Sequence, residues 1–537
     1  MNRRKFVTGV ITTAFMNQLL TDSLFGIVNA EAAGTTGLTK NYISFWMSGG
    51  AERSWFDCVL NPNGNDPLGL GAGLVTAPSL TEGPAKWINR LTTNKVNDKY
   101  YLPYLWESNL PTVAGTSVPM KSLASNMAIV RGVQTGLTFD AHEQNAYTVQ
   151  VPFPGLSFLG GVADSSSDVM IPAVLSKGHF TSNSNKNSSF VPPTANAYEI
   201  FKALQFQSGR NDPYTRSPSK VMGLRKFDNV VSSFINSLTD QMPARKAKTF
   251  GIMMDNRKKA VDLLEKGFGG IEADYNAAHS RYFQLVNQVM NPTGDRILSG
   301  FDDKDFKGTG TAYNYNLGVE GRYGGFSPLQ GFKISECNNL VSGFAKAEIY
   351  MKYGITNCMQ FEIGELSRIY DQFSNQASET TFTFDCHYTG QVIRGIAFSR
   401  FYQSFAACLN LFKGQIGGLA WGQTLVHLRS EFNRSKAQER GSDHNIWGNV
   451  ETFFSGAIAE GPIVGGNLGY QDNATCDGNG AAIPELNNEK IESKHIYSTV
   501  ATLMGFEPSR NHMTLLKPSN GKIVSNLPAP RNLKVAG

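Results

Sequence analysis

Carboxylate and imidazole side chains occur together twice in the second half of this chain. Thr381-Phe382-Thr383-Phe384-Asp385-Cys386-His387 holds the first pair, and Asp443-His444 is the second. In a strand, side chains alternate faces, so Thr383, Asp385 and His387 share one side while Phe382, Phe384 and Cys386 take the other. A carboxylate and an imidazole two residues apart at a strand end can bind one divalent ion together, or one each of a pair of ions. The plain alternative is an Asp–His hydrogen bond that caps the following helix. Asp443 and His444 are adjacent, so they point apart in a strand and converge only in a loop. Each pair follows a stretch expected to be a core strand. Strands of one open sheet deliver their C-terminal ends to one edge, so both pairs are expected there as a metal site.

Other residues are placed to join them. His142 follows the second expected strand and reads as a further ligand or an acid. Glu431 and Arg434 come just after the apolar run Thr424 to Leu428; they form an ion pair or orient a ligand. Asp57 and Glu52 follow the first expected strand and its Gly49-Gly50 turn, so either can reach the same edge. His427 lies inside an apolar run and reads as a core histidine. His179, His279, His495 and His512 sit in polar or helical contexts and read as surface residues. The chain has no G-x-S-x-G elbow, phosphate loop, H-E-x-x-H or C-x-x-C. Serine-hydrolase, phosphate-loop, zincin and zinc-ribbon chemistry are therefore set aside.

The elements that must position these residues follow from the apolar pattern. Strands are expected over 41–47, 127–133, 170–175, 355–363, 380–387 and 424–428. A helix with Leu340, Phe344, Ala347 and Met351 on one stripe stops at Gly354. A second runs from Gly390 to Phe412 with Ile393, Ala397, Phe401, Phe405, Cys408 and Phe412 buried. A short one covers Ser498 to Met504, and residues 195–289 read as further helices that cap the sheet or form a side subdomain. Strands alternating with helices from residue 338 onward specify an α/β class with a parallel sheet covered on both faces.

Composition narrows the function classes. The chain has 537 residues and a net charge of +5, with no basic block, which argues against nucleic acid as a partner. Residues 1–32 read as an export signal. Arg3-Arg4 precede a short apolar run, and Ala30-Glu31-Ala32 forms a small-x-small cleavage site. The paired arginines point to the twin-arginine route; a general secretory signal or an uncleaved anchor are the alternatives. No other stretch is long and apolar enough to span a bilayer, so a soluble periplasmic or extracellular protein is expected. Cys58, Cys337, Cys358, Cys386, Cys408 and Cys476 read as buried small hydrophobes, with one disulfide allowed. The expected organisation is one domain over 33–517, with a helical insertion at about 195–330 and a tail at 518–537 rich in Pro, Asn and Ser.

In this order the motifs resemble the sulfatase-like family catalogued as domain of unknown function 1501. Ser430-Glu431-Phe432-Asn433-Arg434-Ser435 with Asp443-His444 is similar to its S-E-F-G-R-T … D-H-W signature. Phe384-Asp385-Cys386-His387 resembles its W-D-T-H element. Met47-Ser48-Gly49-Gly50 with Asp57 resembles its opening G-G-P-S-x-x-D-x-F-D stretch. Ala128-Ile129-Val130-Arg131-Gly132-Val133 with His142 resembles its A-I-V-R-S-V … H segment. Asn433, Ser435, Cys386 and Asn445 depart from the pattern, and Thr502 stands where a His often lies. The resemblance implies an alkaline phosphatase/sulfatase-like fold: a mostly parallel central sheet, helices on both faces and a helical and loop cap insertion. It implies a hydrolase of phosphate or sulfate esters, small-molecule or glycan, with zinc, calcium or manganese as the divalent ion. Asp385, His387, Asp443 and His444 would be the ligands, with Asp57 and His142 as additions. Thr135 and Thr138 are the nucleophile candidates, and a metal-bound water is the alternative. The competing reading is a non-catalytic exported binding or scaffold protein with the same fold.

Overall fold

β1 (Asn41–Met47) runs through the middle of the sheet. Its Ile43, Phe45 and Met47 enter one apolar core and Tyr42 enters the other. A strand buried on both faces reads as a nearly continuous apolar run, as NYISFWM does. The fold is given by a computed structural model that describes residues 37–58, 94–96, 100–102, 104–136, 142–165, 169, 171–182, 188–190, 268–290, 334–335, 337–363, 365–370, 379–384, 391–435, 443–458, 460–467, 480, 482–506 and 512–527. The expected export signal and most of the 195–330 insertion lie outside these residues.

In chain order the sheet continues with β2 (Met127–Gln134), β3 (Ala173–Leu175), β4 (Ser188–Phe190), β5 (Cys358–Glu362), β6 (Thr424–Ser430), β7 (Asn449–Phe454), β8 (Ile463–Gly465) and β9 (Ile491–Glu492). The spatial order is β8-β2-β7-β6-β1-β5-β3-β4, with β9 also paired to β2. Only β7 runs against its neighbours, being antiparallel to both β6 and β2. The class is α/β with a mixed, mostly parallel central sheet.

Helices cover both faces. They are α1 (His142–Gln150), α2 (Phe158–Ser165), α3 (Phe268–Met290), α4 (Asn338–Lys352), α5 (Gln391–Gly422) and α6 (Ser493–Met504). α3, α4 and α5 pack on the side of Ile43, Phe45 and Met47. There the Phe45 ring stacks on Phe344 at 4.4 Å and meets Phe405 edge-on at 5.6 Å. Phe398, Phe401, Phe405, Cys408 and Phe412 recur at helical spacing, which makes one stripe of α5 apolar. α2 and α6 line the opposite face with Phe158, Val162, Ile496 and Val500.

Four expectations change. The strand expected over 380–387 is Glu379–Thr383. It lies outside the central sheet, in a three-stranded antiparallel sheet with Glu365–Tyr370 and Ile334–Ser335. The link from Tyr370 back to Glu379 is too short for the crossover that parallel pairing needs, so the two strands pair as a hairpin. β7 was not expected at all. A ribbon, Asn433–Ser435 against Asp443–Asn445, connects β6 to it in place of a crossover helix, so the chain returns antiparallel. The expected tail at 518–537 begins inside a hairpin, Leu516–Ser519 with Lys522–Ser525. Asn520 and Gly521 turn it at φ 49° and 74°, the left-handed pair of a two-residue hairpin loop. Its Ile523 and the following Leu527 are buried. His495, expected at the surface, is buried in the first turn of α6, where Nδ1 accepts the N–H of Glu492 at 3.0 Å in a reciprocal cap.

Candidate functional site

The parallel strands end together at Met47, Gln134, Glu362 and Ser430, and antiparallel β7 starts there at Asn449. At this edge the segment after β6 grips the turn after β1. The Glu431 carboxylate, through Oε1, accepts the N–H of Gly49. Ser430 Oγ accepts the N–H of Ala51 at 3.2 Å, and Asn433 Oδ1 accepts the N–H of Arg53 at 3.0 Å. Arg434 donates from Nε to the Gly50 carbonyl at 2.7 Å and from Nη2 to the Gly49 carbonyl. The Phe432 ring fills the space over Gly50. Two motifs almost four hundred residues apart thus form one rigid unit, because each polar side chain of the second satisfies a backbone group of the first.

The ribbon then brings His444 back over this unit, with its partner Arg434 directly opposite. The His444 ring lies 4.2 Å from Phe432, centroid to centroid. His142 opens α1 and arrives from β2. Its Nδ1 is 3.1 Å from Glu431 Oε1, and its ring meets His444 edge-on at 4.5 Å. The Glu431 side chain is 3% exposed and that of His142 is 32% exposed. Glu431 Oε2 is buried without a hydrogen-bond partner. The cluster therefore joins one carboxylate and two imidazoles at the edge where open α/β sheets present ligand sites.

The other expected site residues are placed differently. Asp57 is fully buried in a bidentate pair with Arg53: Nε donates to Oδ1 at 2.7 Å and Nη2 to Oδ2. Arg53 also reaches Thr452 Oγ1 at 3.1 Å. Thr135 is buried, with its N–H 2.8 Å and its Oγ1 3.4 Å from the Ile446 carbonyl. Asp443 is placed by its backbone, paired with Ser435 in the ribbon; its side chain lies outside the described residues, as do Thr138, Asp385 and His387. Among the described residues, no three His, Cys, Asp or Glu side chains form a group able to hold a metal ion. No helix among them is long and apolar enough to cross a membrane.

A second polar cluster lies just below the edge, on the face covered by α2 and α6. His427 Nε2 stands 2.6 Å from Glu451 Oε2, close but not aligned as a hydrogen bond, and Nδ1 is 2.8 Å from the Tyr42 hydroxyl. Arg429 Nε is 3.5 Å from the same Glu451 oxygen. Its Nη2 donates to the Val149 carbonyl of α1 at 2.9 Å, and its guanidinium lies 4.1 Å over the Phe158 ring. Asn449 donates to the Ser430 carbonyl at 3.1 Å. His427 is thus a core histidine as its apolar setting implied. Glu451 escaped notice because β7 did; the alternation in Asn449-Val450-Glu451-Thr452-Phe453 was its available signal.

Burial pushes His427 down to about 4, with Arg429 and Arg53 acting in the same sense and Glu451 against it. Burial and Lys494 push His495 down to about 4 as well. Both rings are neutral in the folded protein at neutral pH, whereas an unfolded histidine titrates at about 6.5. Their contribution to stability is therefore complete above about pH 6.5 and is lost as pH falls towards the folded value. Urea melts should show stability falling over this window, by up to about 1.4 kcal/mol per pH unit for His427 and less for the partly screened His495. His427→Gln should flatten that slope; an unchanged slope would contradict a neutral buried ring.

No protein-family model matches the chain, and no curated protein matches it.

Proposed function

We propose that this chain is an exported metal-dependent hydrolase of phosphate or sulfate esters, with an alkaline phosphatase/sulfatase-like fold and its site at the carboxyl edge beside Glu431, His142 and His444. The observation that carries the reading is the Glu431 carboxylate. One oxygen meets Gly49 and His142, while the other is buried with no hydrogen-bond partner. An unmatched buried acceptor costs about 1–3 kcal/mol, and such a cost is retained where a ligand relieves it. The expected ligands are imidazole nitrogens and carboxylate oxygens, which suit zinc or manganese better than calcium. Asp385, His387, Asp443 and His444 would supply the ligands for one ion or for a pair of them.

When bound, a divalent ion neutralises ester oxygens and activates water. The chain supplies the rest. Arg434 and Glu431 hold the Gly49-Gly50 turn in place. Phe432 covers one side of His444. His142 moves a proton at Nε2. Water is the better attacking group than Thr135, whose hydroxyl is buried against the Ile446 carbonyl. A non-catalytic binding or scaffold role is the second reading, and it draws on the lack of a three-residue metal group among the described residues.

Metal analysis of the purified protein, followed by an aryl phosphate and aryl sulfate panel, separates the two. One or two bound divalent ions are expected. Asp385→Ala and Asp443→Ala should each lose metal and lower turnover by about 100-fold or more, the scale for removing a group that stabilises developing charge. Less than one ion per chain, unchanged in both variants, would sink the hydrolase reading.

A further inference from the structure

His142 and Glu431 stand 289 positions apart, yet their side chains meet at the site edge. The contact is specific about atoms. Nδ1 of the ring faces Oε1 of the carboxylate at 3.1 Å, and the same Oε1 accepts the backbone N–H of Gly49. That oxygen is an acceptor held by the main chain of the β1 turn, so the ring is the donor. A neutral imidazole carries one N–H; when Nδ1 holds it, the lone pair resides on Nε2.

We propose that Glu431 is a positioning residue for His142: it fixes the Nδ1–H tautomer, so that His142 presents the Nε2 lone pair to an electron-pair acceptor at the edge. The class of acceptor is a divalent cation or the proton of an attacking water. In this the inference rests on the hydrolase reading. A carboxylate behind an imidazole raises the donor strength of the far nitrogen and restricts the ring's rotation. Two further contacts restrict the same ring, and a third holds its helix. Phe432 lies 4.9 Å from it and His444 4.5 Å, centroid to centroid, and Arg429 ties α1 to β6 through the Val149 carbonyl. Glu431 itself cannot swing away without releasing Gly49. The Gly49 amide and the His142 ring thus converge on one carboxylate oxygen.

The test reads the tautomer directly. Full-length protein labelled with 15N at histidine is examined at alkaline pH without metal or substrate. Long-range proton–nitrogen correlations are recorded, with His142 assigned through His142→Gln. The expected result is a pyrrole-type shift at Nδ1 and a pyridine-type shift at Nε2. The reverse pattern, which an unrestrained imidazole prefers, overturns the proposal. In Glu431→Ala the pattern should move towards the Nε2–H form; a folded Glu431→Ala protein that keeps the wild-type pattern also overturns it. If that variant does not fold, the wild-type tautomer decides alone. Because no metal or ester takes part, a failed hydrolase assay leaves this result standing, and a wrong tautomer leaves the assay unaffected.

Discussion

Gly50→Ala is expected to destabilise the protein by about 2–5 kcal/mol, combining left-handed strain of ~1–2 kcal/mol with overpacking of ~1–3 kcal/mol. The residue sits at φ 71°, where a side chain is strained wherever there is room for it. There is no room: a Cβ would lie 1.9 Å from Phe432 Cε2 and 2.3 Å from Cδ2. The ring cannot give way easily, because it is fully buried and wedged against His142 and His444. Denaturant midpoints of Gly50→Ala, Phe432→Leu and the double variant would separate the two parts. The double variant should recover the overpacking share and retain the strain, giving a favourable coupling of about 1–3 kcal/mol. Strictly additive effects would mean that the turn does not depend on the Phe432 ring. Since Glu431 and Arg434 hold the same turn, Gly50→Ala should also disturb the His142 environment.

Asp57→Ala carries the second large effect. It leaves the Arg53 guanidinium fully buried without its carboxylate, a loss of about 3–5 kcal/mol for broken buried pairs. Replacing both partners, as Arg53→Met with Asp57→Leu, should restore most of that stability, since a well-packed apolar pair is often as good as the ion pair. Thermal and urea unfolding of the three variants checks this. The experiment also bears on the site. If Asp57 held a metal, Asp57→Ala would lower metal content with little change in the stability of the metal-free protein. The bidentate geometry with Arg53 leads to the opposite pattern: a strong loss of stability without metal.

How much of the site was legible depended on distance along the chain. The apolar run from Thr424 announced β6, and the helical spacing of Phe401, Phe405, Cys408 and Phe412 announced α5, because each pattern lies within one element. The choice of His142, Glu431, Arg434 and His444 followed from their positions just after such elements, and the structure brings these four to one edge. Their partners could not be read in the same way. Arg434 and Glu431 looked like an ion pair from their spacing, yet Arg434 reaches two carbonyls of the β1 turn while Glu431 takes an amide and an imidazole. Asp57 looked available to the edge from its place after β1, and instead faces Arg53 four residues before it.

Residue type and short-range period were enough to set the α/β class, the central strand, the main helices and the polar residues at the strand ends. These depend on side-chain alternation and on backbone preferences that act over a few residues. The antiparallel course of β7, the exclusion of Glu379–Thr383 from the central sheet and the Glu431–His142 contact required the folded chain. Strand order and hydrogen-bond partnership are settled by which distant segments can be buried together without unmatched polar groups. That competition involves residues hundreds of positions apart. It explains why the edge could be located from one stretch of chain, while the atoms that meet there came from three.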